Sequence, residues 1–316
     1  MPAPAEYPSI CLLATASYKE NDMKYTLSLP CITAAVLLSS CSPISVNNNI
    51  AIGLKYEKQT VTDCKPDIGK NTDSLVFSYD AGCCIINAGA ETAGIASDVT
   101  VKGSTQEIAD KIAGSLYIST DIKDNALNVT LCSGLNEGQD VWHFIKNGEY
   151  ASNASVSADT VFDLPDSISF IDIEDGAGEI ELNGFSGKAK LETGAGDVTV
   201  RSSVLTGATE IDTGAGSISI DLAGAPELGS MLDISTGVGD IELSLPGSLN
   251  EDTVIELNTG VGSITLDTGG LEYTVDKEEG AITAHQVEIT IGGKCTVRMS
   301  TGAGDIDIKE PSALDK

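Results

Sequence analysis

The stretch Leu191-Glu-Thr-Gly-Ala-Gly-Asp-Val-Thr-Val200 recurs along the second half of the chain, and this repetition decides the fold. We name each copy by the first of its two glycines, so this one is the Gly194 copy. Gly260 and Gly302 are 42 residues apart, about twice the usual spacing, which predicts a degenerate copy near Gly280. A weaker copy with the pair Gly176 and Gly178 opens the set, and the glycine pairs of the other copies are Gly194 and Gly196, Gly214 and Gly216, Gly237 and Gly239, Gly260 and Gly262, and Gly302 and Gly304.

Apolar and polar residues alternate on both sides of each glycine pair. In the Gly194 copy, Leu191 precedes the pair, and Val198 and Val200 follow it at alternate positions. Strict alternation is typical of a strand with one buried face. Glycine allows a positive φ and a close backbone approach at the bend between two such strands. Each copy is therefore predicted to be a strand, a Gly-x-Gly corner and a second strand.

A repeat of about 20 residues cannot bury its own apolar face and must stack on its neighbours. We therefore predict an all-β fold, in which residues 164–309 form a β-solenoid, or β-helix-like, stack of Gly-x-Gly-Asp-Ile repeats. A meander of hairpins folded into a sandwich is the alternative. In the solenoid, one inward column should contain Val198, Ile218, Ile241, Ile264 and Ile306.

In the region before the repeats, residues 74–163, the alternation of apolar and polar residues is less regular, and this region is predicted to be β-rich. Ser104 and Glu107 have the spacing of a capping box, which predicts a short helix that ends near Gly114. Residues 133–157 have the chemistry of a loop.

The start of the chain has the pattern of an export signal. A short basic start at Met23 precedes an apolar run of signal-peptide length. The run ends in Leu38-Ser-Ser-Cys41, which resembles the cleavage motif of prokaryotic lipoproteins. The resemblance implies cleavage before Cys41 and a lipid on its thiol. Residues 1–40 would then be an upstream segment and a signal peptide; a buried element or a plain membrane anchor is the alternative.

Two further segments are predicted to lie outside the main fold. Residues 41–73 are polar and are interrupted by Gly53, Pro66 and Gly69, which indicates a tether. Residues 310–316 are predicted to be a short tail.

Net charge limits the possible partners. The chain has 47 acidic and 18 basic residues, a formal net charge of −29 at pH 7. This charge argues against nucleic acid and against anionic membrane surfaces as partners. Aromatic residues make up only 4% of the chain, which argues mildly against a sugar-binding groove.

Five cysteines follow the predicted anchor at Cys41. Cys295 shares the parity of Val297 and Met299, so we expect it to be a small buried hydrophobic residue. The other four are candidates for disulfides in an oxidising compartment, and these are Cys64, Cys83, Cys84 and Cys132.

Leu164-Pro165, followed by Gly196-Asp-Val198, Gly239-Asp-Ile241 and Gly304-Asp-Ile306, resembles the putative-adhesin β-strand-repeat family, a domain of unknown function in prokaryotic envelope proteins. The resemblance covers residues 160–308 well and residues 74–135 loosely. It implies a β-solenoid-like fold and an extracytoplasmic location. It brings no catalytic residues.

No motif in the chain predicts catalysis, a cofactor or a metal site. A dinucleotide loop needs a helix behind its glycines, and here a strand follows them. The two histidines, His143 and His285, lie far apart and outside any motif. The copies resemble turns of the calcium-binding nonapeptide repeat, but their spacing is about 20 residues, and serine replaces the acidic residue at Ser217 and Ser263.

A column of threonines is also predicted from the repeat. Their side chains form either an ordered-water or ice-binding array or, as we expect, a hydrogen-bonded structural ladder. Its members are Thr193, Thr213, Thr236, Thr259 and Thr301.

Together these patterns favour a non-enzymatic, lipid-anchored envelope protein, either an adhesin or a surface-assembly protein. We expect it to contact the membrane through Cys41, and another envelope protein or a surface polymer through its repeats. The alternatives are a regulatory or sensory accessory of the envelope and a carbohydrate-active solenoid enzyme, which a groove lined with acidic and basic residues would favour.

Overall fold

The structure is a computed structural model that describes residues 53–148, 150–224, 229–244, 253–267, 274–281, 284–291 and 295–309. The fold is all-β, as predicted, and its sheet curls into a half-barrel. The predicted signal peptide, Cys41 and the tail lie outside the described residues. No helix among the described residues is long and apolar enough to cross a bilayer.

Each copy contributes two strands to the curled sheet, one on each side of its glycine corner. The leading strands precede the corners; they are β9 (Phe170–Asp175), β11 (Ser186–Thr193), β13 (Ala208–Thr213), β15 (Met231–Val238), β17 (Thr253–Thr259) and β21 (Cys295–Ala303). The trailing strands follow the corners; they are β10 (Ile180–Asn183), β12 (Val198–Leu205), β14 (Ile218–Leu222), β16 (Ile241–Ser244), β18 (Ile264–Leu266) and β22 (Ile306–Lys309).

Strands of neighbouring copies pair in parallel and in register. Ile211 lies opposite Leu191 in the leading strands, and Ile218 lies opposite Val198 in the trailing strands. The apolar side chains therefore stack along the inside of the curl. Of the predicted inward column, Val198, Ile218, Ile241 and Ile306 are buried, and Ile264, in the last strand of its row, is only half-buried.

The order of the copies departs from their order in the sequence. The Gly302 copy lies between the Gly237 and Gly260 copies, because β21 pairs with β15 on one edge and with β17 on the other. In the same way, β22 lies between β16 and β18.

The predicted degenerate copy near Gly280 is not present. That segment instead forms the antiparallel hairpin of β19 (Thr274–Ala281) and β20 (Ala284–Ile291), and β20 pairs antiparallel with β17. The 42-residue spacing therefore arises from a hairpin at the edge of the leading strands. A hairpin of this length fits the 20-residue period as well as a weak copy does, so the spacing alone could not distinguish the two.

The N-terminal region continues both rows of strands with more irregular connections. β2 (Ser74–Tyr79) pairs in parallel with β9, and β3 (Cys84–Ala88) pairs in parallel with β10. The remaining strands are β1 (Tyr56–Cys64), β4 (Gly94–Gly103), β5 (Leu116–Lys123), β6 (Ala126–Ser133), β7 (Gln139–Asp140) and β8 (Ala154–Leu164).

Part of the predicted tether is ordered structure. Residues 56–64 form β1, which pairs antiparallel with β4 along its whole length. The strand was missed because it lies at the edge of the sheet, where its side chains remain mostly exposed and therefore polar.

Two helices pack beside the N-terminal strands. Helix α1 (Gln106–Ala113) matches the predicted helix, but its cap is Thr105 rather than Ser104, because the Thr105 hydroxyl accepts the backbone N–H of Ile108. Helix α2 (Val141–Asn147) lies in the stretch predicted to be a loop. Its residues Trp142 and Phe144 are buried and belong to the hydrophobic core.

Candidate functional site

The glycine corners bring neighbouring copies into backbone contact. Gly239 has a φ of +149°, and a Cβ there would lie 2.0 Å from the carbonyl oxygen of Gly216. Gly302, a first glycine, has no such φ, but its Cβ would lie 2.5 Å from the carbonyl oxygen of Gly237. Both corner positions therefore leave no room for a side chain, and this requirement is structural rather than catalytic.

The threonine column forms a buried ladder between copies. Thr213 Oγ1 donates to the carbonyl oxygen of Gly196 at 2.8 Å, and Thr301 Oγ1 donates to that of Gly239 at 2.9 Å. The predicted members are buried, and Thr213 is fully so. This burial is incompatible with the alternative of an ordered-water or ice-binding array, which needs an exposed surface.

The residues after the second glycines form an exposed column of carboxylates and hydroxyls. Asp197 accepts the backbone N–H of Ser217 at 2.7 Å, and Asp240 accepts that of Asp305 at 2.8 Å. Asp305 in turn accepts the backbone N–H of Ser263, and this bond lowers the pKa of Asp305. Each of these carboxylates therefore caps the next copy.

The exposed column is not the continuous row of carboxylates that a calcium ladder would require. Asp240 and Asp305 occupy adjacent copies, but both already bond backbone amides, and Ser217 and Ser263 interrupt the column. In the part of the chain that the structure describes, no group of three or more His, Cys, Asp or Glu side chains is arranged to hold a metal ion.

We expect salt, rather than a specific cation, to stabilise the fold. Sodium chloride should raise the melting temperature, because it screens the repulsion between exposed carboxylates, with a screening length of about 10 Å at 0.1 M that shortens as more salt is added. Calcium added at constant ionic strength should give no further rise. A chelator that lowers the melting temperature in high sodium chloride would contradict this expectation, since only a bound ion responds in that way.

A buried acidic residue replaces threonine in the Gly176 copy. Asp175 is 4% exposed; it accepts the backbone N–H of Ala177 at 3.0 Å and the hydroxyl of Thr193 at 3.3 Å. Burial raises the pKa of Asp175 to about 7. Its register partner in β2 is Tyr79, whose ring stacks on Phe77 and whose own pKa is raised by burial.

Asp175 should make stability fall as the pH rises. The carboxyl titrates near 7 when folded and near its ordinary value of about 3.9 when unfolded, so the folded state binds the proton more tightly. Its stabilisation is complete below about pH 4 and is lost as the pH rises to 7, by up to about 1.4 kcal/mol per pH unit. Asp175→Asn should remove this loss, which melting curves from pH 4 to pH 8 can measure. Identical pH profiles for both proteins would contradict the assignment.

No disulfide links the cysteines within the part of the chain that the structure describes, where Cys64 and Cys83 are half-buried. Cys84 and Cys132 are buried, and Cys295 is buried as predicted. Cys83 occupies a corner, where its backbone N–H donates to Asp159.

The outer face of the leading strands is a charged surface that sequence reasoning did not single out. We call it the leading face. Its basic residues are Lys188, Lys190 and Arg298, and its acidic residues are Asp172, Glu174, Glu192, Glu210, Asp212, Asp233 and Glu256. The alternation of exposed polar residues with buried apolar ones was the available signal, but the strand order is needed to see that these charges share one surface.

A shallow groove of about 220 Å³ crosses the leading face over four strands. Phe170 and Met231 supply apolar surface, and Lys188 Nζ lies 5.0 Å from the centre of the Phe170 ring. Lys190 Nζ lies 3.1 Å from a carboxylate oxygen of Glu192, and this contact raises the pKa of Lys190. The other charged residues of the groove are Glu210 and Asp233.

A family profile matches one part of the chain. The N-terminal domain of toast_rack, DUF2154, matches residues 208–267. The match supports the resemblance to a putative-adhesin, β-rich domain of unknown function. No similar sequence was found among curated proteins.

The solved structures that this chain is similar to include three bacterial proteins. A putative cell adhesion protein from Clostridium sporogenes is 15% identical over 80% of this chain and 99% of that chain, with a TM-score of 0.37. A putative adhesin from Bacteroides fragilis is 14% identical over 79% and 97%, also with a TM-score of 0.37. A putative adhesin from Parabacteroides merdae is 12% identical over 79% and 96%, with a TM-score of 0.24.

Proposed function

We propose that the chain is a non-enzymatic, lipid-anchored protein of a prokaryotic cell envelope, and that its repeats form a β-solenoid whose leading face serves in adhesion or surface assembly. The observation that carries the proposal is the leading face itself. In-register pairing aligns seven acidic side chains with three basic ones on one exposed surface. A rigid face with a net negative charge is suited to a positively charged protein or polymer.

Charge reversal tests the binding role of the leading face. The mature chain is coated on beads, and binding to chitosan and poly-lysine surfaces is compared with binding to dextran. Glu210→Lys with Asp233→Lys should weaken binding to the cationic surfaces by about tenfold, because both residues line the groove. The matched control, Glu107→Lys with Asp98→Lys, makes the same change in net charge away from this face, because Asp98 is exposed on β4, which pairs with β8 in the row of the trailing strands. Equal losses in both variants would show that total charge, and not the leading face, drives binding.

The anchor is tested separately. Mass spectrometry of the native protein should show a lipidated N-terminus at Cys41, and Cys41→Ala should release the protein from membranes. A chain that keeps residues 1–40, or that is cleaved at another position, would rule out the lipoprotein assignment without affecting the leading face.

A carbohydrate-active enzyme is the second candidate, because the groove is lined with acidic and basic residues. A lysine acting as the base of a lyase must lose its proton near neutral pH. The contact with Glu192 raises the pKa of Lys190, so it favours the protonated lysine, which cannot act as a base. Cleavage of polygalacturonate, followed by the ultraviolet absorbance of its unsaturated product, would favour the enzyme over the adhesin.

A further inference from the structure

The Gly302 copy fills a slot between two copies that precede it in the chain. In the leading strands, Ser300 lies opposite Ser235 of β15 on one side and opposite Asn258 of β17 on the other. In the trailing strands, Asp307 lies opposite Glu242 and Thr265. The inserted copy thus makes parallel pairs along both of its edges.

The slot matches the inserted copy at the corner as well. The backbone N–H of Gly239 donates to Ala303 at 2.9 Å, and the backbone N–H of Gly304 donates to Val261 at 2.9 Å. Thr301 Oγ1 donates to the carbonyl of Gly239, and Thr259 Oγ1 donates to that of Gly304. These bonds repeat those between other neighbouring copies, where Thr213 Oγ1 donates to the carbonyl of Gly196 and Thr236 Oγ1 to that of Gly216.

The inserted copy also supplies buried surface that the slot requires. Val297, Met299, Ile306 and Ile308 are all at most 1% exposed. Without them, the inward side chains of the Gly237 and Gly260 copies would lose their neighbours on one side. The backbone groups along these two edges would also lose their partners, and unpaired strand edges readily accept a strand from another chain.

The covalent path to the inserted copy is short. Thr253 of β17 lies opposite Ile291 on one edge and opposite Cys295 on the other, and only three residues separate Ile291 from Cys295 in the sequence. A short connection of this kind favours exchange of the element between chains. A second copy of the protein can fill the same slot with the same bonds, because the exchanged element is identical.

We propose that residues 295–309 are an exchangeable element, and that the slot between the Gly237 and Gly260 copies is an interaction surface for a second copy of this chain. Reciprocal exchange gives a dimer in which each chain supplies β21 and β22 to its partner. The pairs that form are the same as those within one chain, so exchange requires no new surface. It does not depend on binding at the leading face.

Cysteine pairs test the exchange. One sample contains Ser235→Cys chains and a second contains Ser300→Cys chains; the two are mixed in urea, refolded together and mildly oxidised. Because Ser235 and Ser300 are register partners, exchange should yield an intermolecular disulfide between these positions, identified by peptide mass spectrometry. The matched control mixes Asp212→Cys with Ser235→Cys chains, which are equally close register partners in copies that are not inserted. The 235–300 product should exceed the control product by at least about tenfold.

The double variant Ser235→Cys with Ser300→Cys provides a second readout. When oxidised within one chain before concentration, it holds the inserted copy in place and should remain monomeric by light scattering, whereas the reduced protein forms dimers. Absence of the 235–300 product in the mixture, or a control product of equal yield, would overturn the proposal. Dimers that form equally well in the oxidised double variant would also overturn it.

Discussion

A single methyl group at Gly239 is expected to destabilise the fold more than any surface substitution. The Cβ of Gly239→Ala would lie 2.0 Å from the carbonyl oxygen of Gly216, and the φ of +149° is unfavourable for any residue with a side chain. The clashing atom is backbone in a paired copy and cannot move aside without breaking the register. We expect a loss of about 3 kcal/mol or more in the free energy of unfolding, measured by urea denaturation.

Substitutions at two other glycines distinguish the cost of backbone strain from the cost of the steric clash at Gly239. Gly184 has a φ of +65° but open space around it, so Gly184→Ala should cost roughly 1 kcal/mol from backbone strain alone. Gly69 has neither a positive φ nor a close neighbour, and Gly69→Ala should change stability by less than about 0.5 kcal/mol. If all three variants lose the same stability, contact between the copies at the corner is not the cause.

Ile241→Asp should be nearly as damaging, for a different reason. Ile241 is fully buried between Ile218 and Ile306 in the inward column. Aspartate there removes apolar contacts and buries a carboxylate without a partner. The expected loss is at least about 3 kcal/mol, and far-ultraviolet circular dichroism during urea denaturation measures it.

The neighbouring residue provides the control for this prediction. Glu242 faces outward and pairs with Lys309, with 2.6 Å between the nitrogen and the carboxylate oxygen. Glu242→Lys removes an exposed ion pair, so the loss should stay below about 1 kcal/mol. Equal tolerance of the changes at 241 and 242 would mean that the inward and outward assignments are wrong.

Local patterns predicted the strands but could not predict how the copies are arranged. Alternation placed Val198, Ile218 and Ile241 inward, because each strand has one face in the core. The order of the copies depends on which edges meet, and every copy offers the same corner and the same alternation. Nothing local therefore distinguishes the Gly302 copy as the one that inserts.

Helix α2 and the leading face were not predicted from the sequence, for different physical reasons. Helix α2 has an N-cap at Asp140, whose side chain accepts the backbone N–H of His143, and Gly148 follows its last residue. Those two signals were present in the sequence, but the helix has only seven residues, and the surrounding loop chemistry obscured it. For the leading face, alternation indicated which side chains point outward, but only the order of the strands shows that these charges share one surface.

The position of the Gly302 copy also has a consequence for the rate of folding. The Gly194 and Gly214 copies meet through residues that are 20 apart, whereas Asp240 and Asp305 meet across 65 residues of chain. Contacts that close longer loops form later, because more chain entropy is lost before the first bond is made. Folding should therefore begin among the middle copies. The end that contains β17 and β21 should close last, after the hairpin of β19 and β20 has been synthesised.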